Sequence, residues 1–216
     1  DKVHALVERI YDTVLDAHAW PKVLQDIAHA TGASGAMVFE LTQSPTGGEI
    51  SCPHLSANYD RDAVLGYLAN HNDQEIIDQA HFAQVSGQDP KITLINDSAF
   101  PVTLDELRAQ ANVQDMMSFG LCHRSGTLLN KDTWQIDRFS LQYRKGRDAA
   151  NKAEQAIAEL LLPHVAKALR IGRPINAQHA LDTAFPGSEF GLCLLSPQAD
   201  VIAQNPEFER VVSEMG

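Results

Sequence analysis

Residues 119–144 read FGLCHRSGTLLNKDTWQIDRFSLQYR and predict two strands of a β-sheet. From Phe139 to Arg144, apolar and polar residues alternate strictly. This period of two is typical of a half-buried strand, with one face on the core and one face in water. An extended segment over residues 119–124 comes before it, and Ser125-Gly126 is a turn signal between the two.

The parity of this region changes partway along the second strand. Trp134 and Ile136 lie on the opposite parity to Phe139. A strand keeps its parity unless an extra residue enters it, so we expect a bulge or break near Asp137.

Upstream segments complete the set of predicted elements. Ala36–Leu41 and Glu49–Leu55 flank a turn-rich stretch and predict a β-hairpin. Apolar residues at helical spacing predict helices on both sides of these strands. The predicted helices cover residues 2–16, a second helix from Pro21 to Gly32, residues 60–69, a short piece around Ile76, residues 103–111, and a long helix over 149–171 that is kinked at Pro163.

This order of elements predicts the fold class. Hairpin-linked strands between groups of helices favour an α+β fold, in which helices flank an antiparallel sheet. Arg173-Pro174 marks a boundary, after which two short strands, Phe190–Leu195 and Asp200–Ala203, lead to a helix that opens at Pro206. Two short strands cannot bury enough surface to stand alone, so this second unit is expected to be incomplete.

Composition excludes several classes of protein. The 216 residues carry a net charge of −11, which repels the phosphates of nucleic acids and of anionic membranes. The three cysteines form no closely spaced pair, which fits a reducing compartment. No secretory signal and no apolar run of about 20 residues is visible, so we expect a cytoplasmic protein without a membrane partner.

Several motifs resemble the sensory regions of LuxR-type transcriptional regulators of bacteria. They are Ile10-Tyr11-Asp12, Trp20-Pro21, the strand Ala33–Leu41, Phe119-Gly120-Leu121, and Leu161-Leu162-Pro163-His164-Val165-Ala166-Lys167-Ala168-Leu169. The last is similar to a Leu-x-Pro-His-Leu-x-Arg-Ala segment of that family, and Gly191–Asn205 looks like the beginning of a PAS domain. The resemblance implies a GAF-like sensory domain with its connector helix over residues 1–172 and the start of a PAS-like domain over 173–216. DNA would then be bound only by a C-terminal helix-turn-helix domain that is absent from this chain.

The segment from Tyr59 to Asp73 is the candidate ligand site. A helix that carries aromatic side chains and ends in Asn70-His71-Asn72-Asp73 could wall a cavity over the sheet, although the tyrosines could equally be core and the polar run a helix end. One subgroup of LuxR-type regulators binds acyl-homoserine lactones through a Trp/Tyr/Asp constellation, and here no Trp stands beside Tyr59, so the resemblance implies the same pocket position with a different ligand. The candidate lining residues are Phe39, Tyr59, Tyr67, Asp73, Phe119, Leu121 and Trp134.

Other candidate chemistry is weaker. Arg144 could bind an anionic ligand through its planar guanidinium, or form a salt bridge with a surface carboxylate. His71, Asp73, Glu75 and His81 match no standard metal-ligand spacing, and Cys122-His123 lies on a strand that points the two side chains apart. No catalytic motif is present, so the sequence predicts no catalytic residue, no metal and no cofactor.

Three functions stay open at this stage. The first is a non-catalytic sensor of a small molecule that signals through the connector helix. The second is a ligand-free dimerisation or protein-docking module, and the third is an uncharacterised hydrolase or transferase. The predicted partners are an unidentified small-molecule ligand and a second copy of the chain. The apolar stripe of the closing helix is wider than a lone surface helix needs, which favours a second copy, although the helix could equally pack on its own sheet.

Overall fold

The computed structural model describes residues 2–44, 47–87, 91–131, 135–196 and 199–215. Its strands and helices follow one another in the mixed order that the sequence predicts. The α-helices are α1 Lys2–Asp12, α2 Trp20–Ala30, α3 Arg61–Ser86, α4 Leu104–Ala109, α5 Ala111–Ser118, α6 Lys152–Ala184 and α7 Pro206–Met215. The strands are β1 Gly35–Ser44, β2 Gly47–Leu55, β3 Ile95–Asn96, β4 Leu121–Lys131, β5 Gln135–Arg144, β6 Cys193–Leu195 and β7 Val201–Gln204.

Five strands form one antiparallel sheet in the order β2-β1-β5-β4-β3. Helices cover it, so the predicted α+β class with a flanked antiparallel sheet is confirmed. One face packs on α2 and α6 through a core that includes Leu24, Phe139 and Leu161. The other face carries Phe39 and Ile136 and packs beneath α3, whose Leu68 belongs to the same cluster.

The central strand β5 differs from the prediction in two ways. Every described residue from Gln135 to Tyr143 is buried, so the strand is not half-buried as predicted. Its pairing with β1 is continuous, and the bulge expected near Asp137 lies in the partner strand β4, where Leu128 and Asn130 pair with Arg138 and Asp137. The parity change at Ile136 therefore reflects two covered faces, because each face accepts apolar side chains.

Helix α3 is longer than the sequence predicts. It runs from Arg61 to Ser86 through the polar run that was expected to end it, with only His71 outside the helical region (φ −128°, ψ 18°). Contacts on neighbouring elements hold this irregular turn, since the His71 ring lies 3.1 Å from an Asp115 carboxylate oxygen and the Asn72 amide oxygen accepts a hydrogen bond from the Ile50 backbone. Residues 83–86, which lie outside all the predicted helices, belong to this helix.

Helix α6 also exceeds its predicted end. It begins with a capping box of Asn151 and Glu154 and continues through Pro163 and Pro174. A proline inside a helix removes one backbone hydrogen bond, which burial of the α6 face in the core offsets. The boundary predicted at residue 173 therefore falls inside a helix.

Beyond α6 the chain forms a two-stranded antiparallel sheet, β6-β7, followed by α7. Asn205 joins these parts, because its side-chain oxygen accepts from the Leu192 and Phe208 backbone amides and its nitrogen donates to the Phe190 carbonyl. The predicted pair of strands and the helix opening at Pro206 are confirmed. No helix in the described ranges is both long enough and apolar enough to cross a membrane.

Candidate functional site

A cavity of about 330 Å³ lies between the sheet and helix α3. Its walls come from β1, β4, β5, α3, α5 and the turn that precedes α3. The apolar lining consists of Met37, Phe39, Ala63, Val64, Met116, Phe119 and Leu121, and the polar lining of Ser34, Asn58, Tyr59, Asp60, Tyr67, Glu75, Arg124, Ser140, Gln142 and Arg144. Apolar walls with a limited number of fixed polar groups are typical of small-molecule sites.

Five of the seven predicted site residues line this cavity. They are Phe39, Tyr59, Tyr67, Phe119 and Leu121. Phe39 lies on the covered face of β1, whereas Phe119 follows α5 and is 58% exposed, so it stands at the mouth. Trp134, the sixth predicted residue, lies outside the described residues.

Asp73, the seventh predicted residue, does not line the cavity. The prediction ended the helix near residue 69, which placed Asp73 in a polar run at the end of that helix. Because α3 continues, Asp73 lies on its exposed side, and Glu75 is the buried carboxylate that reaches the cavity, with 2% of its surface exposed.

Glu75 organises the polar floor of the cavity. Its Oε2 accepts a hydrogen bond from the Tyr67 hydroxyl at 2.8 Å, and its Oε1 accepts one from the Gln79 amide at 2.8 Å. The Arg124 guanidinium lies across from it, with Nη1 3.3 Å from Glu75 Oε2 and Nη2 2.5 Å from Asp78 Oδ2. Asn112 donates to the same Asp78 oxygen at 2.8 Å.

These contacts determine the charge states of the floor. Burial alone would lower the pKa of Arg124, but the Glu75 and Asp78 carboxylates outweigh it and raise that pKa. Burial raises the pKa of Tyr67, and the charge of Glu75 raises it further, so the hydroxyl stays a neutral donor. The floor thus presents one phenol and one cluster of an arginine with two carboxylates to the cavity.

A second tyrosine closes the cavity near its mouth. The Tyr59 hydroxyl donates to the Gln142 amide oxygen at 3.1 Å, and burial raises the pKa of this phenol. The Tyr59 ring lies directly over Gly35, where a Cβ atom would stand 2.3 Å from a ring carbon. The absence of a side chain at Gly35 therefore allows the ring to pack flat against β1.

Arg124, Glu75 and Gln142 were missed as site residues by the sequence reasoning. Tyr67 and Glu75 are eight residues apart, which places them on one face of a continuous helix. Predicting two helical pieces hid this relation. Arg124 lies on β4, and only the sheet order brings it under α3.

The structure also shows where the Cys122-His123 pair and the possible metal ligands lie. Cys122 and His123 are consecutive residues of β4, as expected, and His123 lies 3.8 Å from the Asp97 carboxylate. Within the described ranges, no group of three or more His, Cys, Asp or Glu side chains is placed to hold a metal ion.

Solved structures of other proteins share this fold. The LBD domain of VqsR from Pseudomonas aeruginosa aligns over 78% of this chain and 94% of its own, with a TM-score of 0.55 and 15% identity. CepR2 from Burkholderia cenocepacia, an N-acylhomoserine lactone dependent LuxR family transcription factor, aligns over 79% and 95%, with a TM-score of 0.53 and 11% identity. SdiA from Escherichia coli aligns over 99% and 79%, with a TM-score of 0.52 and 14% identity. No protein-family model and no curated protein matches the sequence.

The chain therefore has the fold of the ligand-binding domains of LuxR-type regulators, and the predicted resemblance is confirmed at the level of the fold. At identities of 11% to 15%, these likenesses do not extend to the ligand or to the role of any one residue.

Proposed function

We propose that this chain is the signal-input region of a LuxR-type bacterial transcriptional regulator and that its cavity binds a small molecule. In this proposal the region is cytoplasmic and non-catalytic. DNA is contacted by a C-terminal domain outside these 216 residues. The net charge of −11 supports this division, because a strongly acidic surface repels DNA.

The cavity is the observation that carries the proposal. A domain whose fold served only for docking would gain stability by filling this space, since each unfilled volume costs packing energy. Instead, the four aromatic side chains Phe39, Tyr59, Tyr67 and Phe119 surround about 330 Å³ of open volume.

The polar floor supports binding of an amphipathic rather than a purely apolar molecule. Tyr67, Glu75 and Arg124 are locked by hydrogen bonds to one another, so their remaining hydrogen-bonding capacity points in fixed directions. A preorganised floor loses little entropy when a ligand binds.

Strand β5 offers a route from the cavity to the connector helix α6. Ser140 and Gln142 line the cavity on one face of β5, while Leu141 on the other face packs in the core shared with α6. Arg173 of α6 also pairs with Asp137 of β5, at 2.6 Å. We propose that ligand occupancy shifts β5 and that α6 carries the shift onward, to the extent that the ligand binds the two states with different affinity.

We also propose that the region acts as a homodimer. Leu160 and Ile171 of α6 are 62% and 37% exposed, and Leu15 after α1 is 84% exposed. An exposed apolar patch favours association, and we propose that these side chains form one. Light scattering at several protein concentrations tests this part, and a monomer at every concentration contradicts it.

Native mass spectrometry of the purified chain, before and after mild denaturation, tests the sensor proposal. We expect a small molecule at fixed stoichiometry in the native spectrum and its release on denaturation. Val64→Trp fills the cavity from α3 and should abolish the bound mass. Leu65→Trp is the matched control, because Leu65 is the next residue of the same helix, is 49% exposed and does not line the cavity.

The outcomes separate the proposals. A released molecule that is lost only in Val64→Trp supports the sensor. A wild-type chain that carries no molecule and takes up none from a cell extract contradicts it, and a dimer in that result favours the docking module instead.

A further inference from the structure

A second concave surface adjoins the cavity at its mouth. We call it the outer cleft; it is lined by Gln25, His29, Gly32, Ala33, Ser34, Asn58, Arg144 and Arg147. Ser34, Asn58 and Arg144 line both the cavity and the outer cleft, so the two are continuous. A ligand in the cavity can therefore extend into the outer cleft past these three residues.

The outer cleft is cationic in an otherwise acidic chain. Its lining contains two arginines and no Asp or Glu, whereas the whole chain carries a net charge of −11. Arg147 is held by Glu154 at 2.8 Å and lies 4.8 Å from the centroid of the Tyr143 ring. Arg144 differs, since in the described part of the chain no carboxylate lies within ion-pair distance of it.

One further group in the outer cleft has unused hydrogen-bonding capacity. Gln25 is only 9% exposed, and its amide nitrogen lies 2.9 Å from the His29 ring. The other end of the same amide is buried without a hydrogen-bond partner. The unpaired atom is the amide oxygen, which accepts hydrogen bonds, and a buried polar atom is normally paired, so it indicates a hydrogen-bond donor such as water in the cleft.

One carboxylate that lines the cavity is already engaged in a helix cap. Asp60 lines the cavity, but its Oδ1 accepts hydrogen bonds from the backbone amides of Asp62 and Ala63 and so caps helix α3. Its charge is directed to the helix N-terminus, which leaves the Arg144 guanidinium available to an incoming anion.

We propose that the cavity and the outer cleft form one composite site for an amphipathic carboxylate. The apolar body lies between Met37, Phe39 and Phe119, and the carboxylate binds Arg144 in the outer cleft. The guanidinium fork matches a carboxylate with two parallel hydrogen bonds. This inference rests on the proposed function and adds the chemical class of the ligand.

Calorimetric titration with decanoate and decanamide tests the charge requirement. The two probes have the same chain length, which suits a pocket of about 300 Å³, and they differ in the charge of the head group. We expect the wild-type chain to bind decanoate about tenfold more tightly than decanamide, because charge-assisted hydrogen bonds are stronger than neutral ones.

Two variants locate the effect. Arg144→Gln should lower the affinity for decanoate about tenfold, to the level of decanamide, and so remove the preference. Lys145→Gln is the matched control, since it removes the same charge from the neighbouring exposed residue, which lines neither concavity, and should keep the preference.

Three results overturn the inference: equal affinity for the two probes, a preference that persists in Arg144→Gln, or no binding of either probe. Release of a neutral molecule from the wild-type chain in the native spectrum also overturns it. If a neutral molecule is released, or if the two probes bind with equal affinity, the proposal that the chain is a sensor stands and the proposal that its ligand is a carboxylate is wrong.

Discussion

Arg124 and Arg138 make a matched pair of buried arginines with opposite surroundings. Both lie on central strands, and they are 3% and 5% exposed. Arg124 contacts two carboxylates, Glu75 at 3.3 Å and Asp78 at 2.5 Å. Arg138 has no carboxylate within ion-pair distance among the described residues, and its Nε and Nη1 atoms have no hydrogen-bond partner.

Replacing each arginine by methionine should therefore have very different effects on stability. Arg124→Met leaves two buried carboxylates without their counter-charge, which costs about 3–5 kcal/mol of unfolding free energy. Arg138→Met removes buried donors that have no partner, and it removes a charge that burial disfavours, since burial lowers the pKa of Arg138 to about 10. We therefore expect the free energy of unfolding to change by about 1 kcal/mol or less in either direction.

Urea unfolding at pH 7, monitored by circular dichroism, measures the change in the free energy of unfolding for both variants. A shift in the midpoint without a change in slope is the signature of a stability change. If both variants lose the same free energy of unfolding, the loss comes from the changed side-chain volume and not from ion pairing, and the proposed role of Arg124 in the polar floor is wrong.

A double-mutant cycle isolates the ion pair itself. Asp78→Asn in the Arg124→Met background should cost less than in the wild-type chain, with a coupling energy of about 0.5–3 kcal/mol. A coupling near zero would mean that the 2.5 Å contact contributes nothing to stability.

Three further substitutions test other buried groups of the domain. Tyr67→Phe removes the hydroxyl that donates to Glu75 at 2.8 Å and should cost about 1–2 kcal/mol in urea unfolding; an unchanged midpoint would contradict a buried bond. Gly35→Ala places a Cβ against the Tyr59 ring and should cost about 1–3 kcal/mol, and Tyr59→Ala should relieve most of that cost; additive losses would contradict the close packing. Burial lowers the pKa of His54 from 6.5 to about 4. As the pH falls, the unfolded chain therefore binds a proton at His54 before the folded chain does. This contribution to the free energy of unfolding is complete above pH 6.5 and is lost as the pH drops towards 4, by about 3 kcal/mol. His54→Gln should flatten that part of the pH profile, and a variant with the wild-type slope would assign the effect to other groups.

Local sequence signals were sufficient for the class of fold. Alternation in 139–144, turn residues before Glu49 and helical spacing in α1 and α6 act over a few residues, so they can be read without knowing what each element packs against. The same holds for the two short strands before Asn205 and for the acidic charge. Five lining residues of the cavity, among them Tyr59 and Tyr67, were also predicted at this level, because a helix that carries aromatic side chains over a sheet is typical of a pocket wall.

Contacts between distant segments decided where α3 and α6 end and which carboxylate lines the cavity. Helix α3 continues past His71 because β2 and α5 hold the irregular turn through Asn72 and Asp115, and that continuation exchanges Asp73 for Glu75 at the cavity. Helix α6 passes Pro174 while Arg173 beside it is tied to Asp137, 36 residues earlier in the chain. The physical reason is common to both: a local pattern states what one segment prefers, but the free energy of contacts between distant segments determines whether a helix ends and which carboxylate is buried. The pairing of Arg124 with Glu75 and Asp78, across 49 and 46 residues, exists only in the folded chain.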